Sequence, residues 1–164
     1  MSAARLPKRL WTHAVETAVS PEWAWRRLSD IRAGRWAPDD APLALHSGET
    51  LTGAEAVELV GGPGRFAVTV TRKSGEVGRC TLEVNAPVRS VAVQGEWWFR
   101  GELRVEPAAL DRSRLVLEVF NVAPGWGRHL APLVARGVRA RTRADLEAIA
   151  ARLQAEGTVT ASAS

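Results

Sequence analysis

Leu10-Trp11-Thr12-His13-Ala14-Val15-Glu16-Thr17-Ala18-Val19 runs directly into Ser20-Pro21-Glu22. In the first ten residues Trp11, His13, Val15, Thr17 and Val19 fall on one side of an extended chain. Leu10, Thr12, Ala14, Glu16 and Ala18 fall on the other, and this period of two predicts a strand. The next three residues supply a hydroxyl N-cap, a proline at the first helical position and an acid in the first turn, so a helix begins at Pro21. Trp25 and Leu28, three apart, mark its packing side. Residues 30–36 read as a second short helical turn, stopped by Gly34 and Pro38. Helices this short cannot bury a core alone and must lie on a larger element.

That element follows in the chain. Segment 42–53 is punctuated by Pro, Ser, Gly and Thr and reads as loop or weak strand. Beyond it, runs at 54–60, 66–72, 77–84, 89–95, 97–105 and 114–122 alternate or are rich in β-branched residues. The breaks between them are short and carry Gly, Pro or Ser, as in Gly61-Gly62-Pro63-Gly64 and Ser74-Gly75. Such gaps join neighbouring antiparallel strands, so the middle of the chain is a meander and the total is seven strands. After Pro124, Gly125 and Gly127, the residues Leu130, Leu133, Val134, Val138, Thr142, Leu146, Ile149 and Leu153 recur at spacings of three and four. They predict one long amphipathic helix starting near residues 129–131, because Pro132 fits only a first turn. Residues 157–164 lack large apolar side chains and are expected to be a frayed tail, and residues 1–9 a basic extension.

Composition bounds the class. The chain has 164 residues, 46% hydrophobic and 24% charged, which suits one domain with a real core and excludes disorder. Cys80 is the one cysteine and there are three histidines, so no disulfide framework or zinc motif is expected, and no cofactor either. The formal charge of +4 comes from twenty Arg and two Lys, Lys8 and Lys73, against 18 acids. The basic residues are interleaved with acids, and the tightest cluster, Arg136, Arg139, Arg141 and Arg143, spreads around a helix instead of forming a stripe. A nucleic-acid partner is therefore not expected. No apolar leader or membrane span is visible, so the expected location is cytoplasmic, as a monomer or homodimer. Gly61-Gly62-Pro63-Gly64 lacks the Lys-Ser/Thr ending of a phosphate loop and is read as a turn.

The order strand, two short helices, six-strand meander, long helix resembles the helix-grip fold of the START-like, or SRPBCC, superfamily, which includes polyketide cyclases and dehydrases and lipid-transfer domains. The segment 15–22 with Trp25, Leu28, Ser29-Asp30 and Trp36 is similar to that family's opening. Gly64-Arg65-Phe66, Val84-Asn85-Ala86-Pro87-Val88-Arg89 and Leu146-Glu147-Ala148-Ile149 stand where its members carry like residues. The resemblance spans residues 10–153, within a domain set at 10–156. It implies an α+β fold in which a curved antiparallel sheet of seven strands wraps around the C-terminal helix, with two short helices between strands 1 and 2. It also implies a cavity between sheet and helix.

The expected occupant is a small hydrophobic or aromatic molecule, lipid-like or polyketide-like, with no chemistry performed on it. The candidate lining is Trp11, His13, Val15, Phe66, Trp97, Phe99, Val138 and Thr142. Adjacent strand residues point to opposite faces, so Trp97 is expected inside and Trp98 outside. The alternative is an aromatic polyketide cyclase or dehydrase. For it His13 is the expected proton-transfer group and Glu118 or Arg100 its helper. For His13 the competing reading is a hydrogen-bonded rim residue, and for Glu118 a place on the outer face. A third reading is an interaction module with an occluded cavity that uses Trp98 on the outer surface.

Overall fold

The computed structural model describes residues 7–162. Strand β1 (Lys8–Thr17) leads to helix α1 (Pro21–Ser29), a three-residue strand β2 (Gly34–Trp36), and two 3-10 turns at Pro38–Asp40 and Leu43–His46. Strands β3 (Ala54–Gly61), β4 (Arg65–Arg72), β5 (Val77–Asn85), β6 (Ser90–Gly95), β7 (Phe99–Pro107) and β8 (Ser113–Asn121) follow. Helices α2 (Gly127–Val134) and α3 (Arg136–Ser162) complete the chain. All neighbouring strands are antiparallel, in the order β1-β8-β7-β6-β5-β4-β3-β2, so β1 closes the meander by pairing with its last strand.

The helix start reads as expected. Ser20 accepts from the Trp23 amide and Pro21 opens the helix. The expected second helical turn at 30–36 does not form. Gly34 has φ +137°, which favours glycine and breaks a helix, and Gly34 to Trp36 pair with Leu59 to Val57. The sheet therefore has eight strands instead of seven. Segment 42–53 is not a weak strand either: its 3-10 turn places Leu43, Ala44 and Leu45 in the core.

Curvature has visible causes. The register shifts in β1 between Arg9 and Trp11 and in β3 between Ala54 and Ala56, and such bulges bend a strand. Glycines 78, 95 and 101 lie on the inner face, and a Cβ at Gly78 or Gly101 would crowd Arg72 or Phe99, at 2.7 and 2.9 Å. The core consequently splits in two. One half joins α1, β7, β8, α2 and α3 through residues such as Leu28, Leu117, Leu146 and Leu153. The other lies under the Leu43–His46 turn and joins β3 to β6 through Leu45, Val57, Val68 and Leu82.

The C-terminal helix departs from the expected outline at both ends. Leu130, Leu133 and Val134 belong to α2 and are exposed; the inward stripe begins at Val138 and continues through Thr142, Leu146, Ile149 and Leu153. Pro132 sits inside α2, where it cannot donate to the Arg128 carbonyl four residues back, and the Asn121 side-chain amide donates to that carbonyl at 2.9 Å instead. At the far end residues 157–162 are helical, not frayed. Glu156 pairs with Arg27 of α1 and with Arg152, and a Cβ at Gly157 would stand 2.5 Å from Val19 Cγ1, so this turn is docked closely on the start of α1. Thr158 and Ser162 donate to carbonyls four residues back. Of the expected basic extension, residues 1–6 lie outside the described residues, as do 163–164 of the tail; Lys8 and Arg9 already belong to β1.

The two adjacent tryptophans are exchanged relative to the sequence reading. The strand stops at Gly95 and restarts at Phe99, so the alternation that puts Phe99 inside does not extend back through the bend at 96–98. Trp98 is 8% exposed and packs 6.4 Å from Trp11 and edge-on to Phe99 at 5.5 Å, whereas Trp97 is 43% exposed. Trp98→Ala should therefore cost about 3–5 kcal/mol of stability and Trp97→Ala about 1 kcal/mol or less. Equilibrium urea unfolding checks the pair, and equal losses would contradict the assignment.

Candidate functional site

The two halves of the core part near the start of α3, and the gap is a cavity of about 280 Å³. Val70 from β4 and Cys80 from β5 form its floor, Trp98 and Phe99 one wall, and Val138 of α3 the roof. Glu49 and Thr50, in the loop at 47–53, stand at the mouth with Glu76 and Glu96.

Each wall is held from behind. The Phe99 ring lies between two glycines: a Cβ at Gly101 would be 2.9 Å from its Cζ and one at Gly48 3.1 Å. Gly48 has φ +79° and its amide donates to Asp145 Oδ2 at 2.8 Å, which ties the mouth loop to α3. Burial pushes the Asp145 carboxyl above its ordinary value, against the pull of the Gly48 amide and of Arg141. Arg141 in turn pairs with Glu49 at 2.6 Å. In the 3-10 turn just before this loop, burial lowers the His46 imidazole; its Nε2–H donates to the Ala41 carbonyl at 3.2 Å.

Arg72 points inward. Phe66, Val68, Val70 and Arg72 share the inner face of β4, and Arg72 lies at its end. Its guanidinium lies over Gly78, where a Cβ would meet Nη1 at 2.7 Å. Nε donates to the Thr52 carbonyl at 3.0 Å and Nη1 stands 3.7 Å from Glu76, whose side chain is largely exposed. Among the described residues Nη2 has no partner, and the Arg72 side chain is 23% exposed. A guanidinium so placed offers a fork of donors to a carboxylate, an enolate or a ketone oxygen.

Of the residues singled out by sequence, Phe99 and Val138 line this cavity. Trp11, His13 and Thr142 do come together, but as a clasp between β1 and α3. Trp11 Nε1 donates to Thr142 Oγ1 at 3.2 Å, and Thr142 Oγ1 and His13 Nε2 both donate to the Arg139 carbonyl, at 3.0 and 2.9 Å. His13 and Val15 instead border a separate cleft of about 160 Å³ between β1 and α3. Phe66 is buried in the second half of the core, its ring over Gly62. Trp97 is outside, as described above.

Glu118 and Arg100 occupy the outer face of the sheet, because Leu115, Leu117 and Val119 and, on the neighbouring strand, Gly101 and Leu103 take the inner positions. Partial burial alone would raise the Glu118 carboxyl, yet hydrogen bonds from Arg9 at 2.7 Å and Arg104 at 3.1 Å hold it below its usual range. Arg100 bonds Gln94 and Glu83. Neither reaches the cavity, which corrects the expected catalytic pairing with His13.

Sequence reasoning did not place Arg72 or Cys80 in the cavity, and it put Trp98 on the outer face. For Arg72 the signal was present: it keeps the parity of Phe66, Val68 and Val70, so the alternation itself turns a cation inward. Burial pushes the Cys80 thiol up to about 11, leaving it neutral near pH 7. A disulfide reagent at pH 8 should therefore modify native Cys80 roughly a hundredfold more slowly than a free cysteine, and more slowly still with the cavity filled. Rapid labelling of the native protein would place Cys80 elsewhere.

Comparison with known proteins agrees with this architecture. The fold is similar to that of the Zhui aromatase/cyclase from Streptomyces sp. R1128, with 18% identity, 88% of this chain and 94% of that chain covered, and a TM-score of 0.53. It is similar to norcoclaurine synthase from Thalictrum flavum, with 21% identity, coverage of 86% and 84%, and a TM-score of 0.52. It is similar also to the protein TTHA0849 from Thermus thermophilus, with 17% identity, coverage of 88% and 97%, and a TM-score of 0.56. Among curated proteins none matches the sequence. Residues 10–154 match the family described as polyketide cyclase / dehydrase and lipid transport, and the chain belongs to that family.

Proposed function

We propose that the protein binds one small, planar, mainly apolar molecule in the cavity under Val138, with an acidic or carbonyl oxygen of that molecule on Arg72. The observation that carries this reading is the lining itself. Val70, Trp98, Phe99 and Val138 give apolar and aromatic walls, Glu49, Glu76 and Glu96 stand at the mouth, and Arg72 adds a partly desolvated guanidinium whose Nη2 has no partner among the described residues. An apolar pocket with a few placed polar groups is the general form of a small-molecule site.

Size narrows the class. A dry cavity of ~150 Å³ takes a benzene, so about 280 Å³ suits a bicyclic ring system with one substituent. Binding leads over catalysis because His13, Glu118 and Arg100 deliver no reacting group to this space.

Gly95 provides a clean test. It lines the cavity, its φ is ordinary, and a Cβ there would meet nothing closer than the Phe99 carbonyl at 3.9 Å, so Gly95→Leu fills the space without straining the backbone. 1-Naphthoate should raise the thermal midpoint of the native chain, since a ligand that binds only the folded state stabilises it. Gly95→Leu should abolish the rise. Arg72→Met should weaken naphthoate by roughly tenfold or more, the worth of a charged hydrogen bond, while leaving 1-naphthylmethanol nearly unchanged. No response to any member of an aromatic and fatty-acid panel, or an undiminished response in Gly95→Leu, would contradict the proposal.

A further inference from the structure

Helix α2 carries two apolar faces, and only one of them is used by the fold. Ala131 and Ala135 turn inward and are buried. Trp126, Leu130, Leu133 and Val134, at spacings of four, three and one, share the opposite side and are exposed, Trp126 by 87% and Leu133 by 59%. The half-exposed Trp97 adjoins them, since a Cβ at Gly127 would stand 3.0 Å from its Nε1. An uncovered apolar stripe with two indoles is not what a solvated helix needs.

The segment that carries the stripe has charges of one sign, although Glu96 stands next to Trp97. From residue 119 to 144 the sequence has five arginines and no Asp or Glu. Arg141 and Arg143 are paired with Glu49 and Glu147. Arg128, Arg136 and Arg139, on α2 and the first turn of α3, have no ion-pair partner among the described residues; Arg128 lies on the side of α2 away from the stripe, and Arg136 and Arg139 follow it in the chain as exposed residues.

We propose that this stripe, with Arg136 and Arg139 that follow it, is a docking surface for an anionic lipid bilayer. Apolar side chains would enter the headgroup boundary, the two indoles would sit at its level, and these two guanidiniums would meet lipid phosphates. A second copy of the chain fits less well. It would bring the same cations together, and an eight-residue helix about 12 Å long offers far less than the roughly 800 Å² per partner of a stable interface. No helix among the described residues is long and apolar enough to cross a membrane, so the contact is peripheral. Trp97 precedes the wall residue Trp98, and Val134 lies one turn before the roof residue Val138, so the stripe adjoins the cavity wall and leaves the acidic mouth outside the contact.

Co-sedimentation of the full chain with vesicles tests this. Vesicles of equal parts phosphatidylglycerol and phosphatidylcholine should bind at least about tenfold more tightly than pure phosphatidylcholine, and molar salt should remove the difference. Leu133→Asp, on an exposed position, should keep the circular dichroism and thermal midpoint and lose binding by about tenfold or more. Arg136→Glu with Arg139→Glu should remove most of the preference for the anionic lipid. Gly95→Leu should bind vesicles as the native chain does, so failure of the ligand reading and failure of this one are separable. Absence of binding to the anionic vesicles overturns the proposal, as does binding indifferent to Leu133→Asp, or self-association that Leu133→Asp abolishes in a chain that ignores vesicles.

Discussion

A straight helix cannot stay in contact with a sheet that bends away from it. This geometric constraint organises the molecule. Bulges in β1 and β3 curve the sheet, while α3 packs along β1 and reaches β8 at one edge of it. Where the two surfaces meet, leucines interlock and a dense core forms; where they diverge, the core divides and the space between its halves remains open. The polar links fall where the packing needs them. The Trp11–Thr142–Arg139–His13 cluster fastens the edge strand to the helix, and Asp145 fastens the mouth loop.

Much of this was legible in the sequence because it rests on local chemistry. The period of two in 10–19 and the Ser20-Pro21-Glu22 cap fix the first strand and helix, and short Gly- and Pro-bearing gaps fix the meander. What was not legible depends on events at element ends. Gly34 converts an expected helical turn into an edge strand because of its positive φ. The bend at 96–98 breaks the alternation, so Trp97 and Trp98 exchange places. The tail stays helical because of Gly157 and Glu156, whose partners Val19 and Arg27 are distant in sequence.

The same division explains the fate of the site residues. His13 and Thr142 face each other's elements across the inner side of the sheet, but facing inward is not the same as facing the cavity, because α3 covers part of the inner surface. Their polar atoms are used by the helix. Glu118 belongs to the outer face because of the register of β8, which Leu117 and Val119 set. Arg72 escaped notice as a charge at the end of a strand, the place where exposed residues are usual. Only the fold shows that β4 ends over the cavity floor.

The central claim is that the gap between the helix and the sheet is where a ligand sits. The side-chain indole signals of the seven tryptophans in a two-dimensional nitrogen–proton spectrum report on it position by position. During titration with an aromatic acid, the Trp98 indole is expected to move first and most, with Trp11 following through ring contact, while Trp23, Trp25 and Trp36 stay in place. Shifts led by Trp23 or Trp36, with Trp98 unmoved, would locate binding outside the cavity and contradict the account.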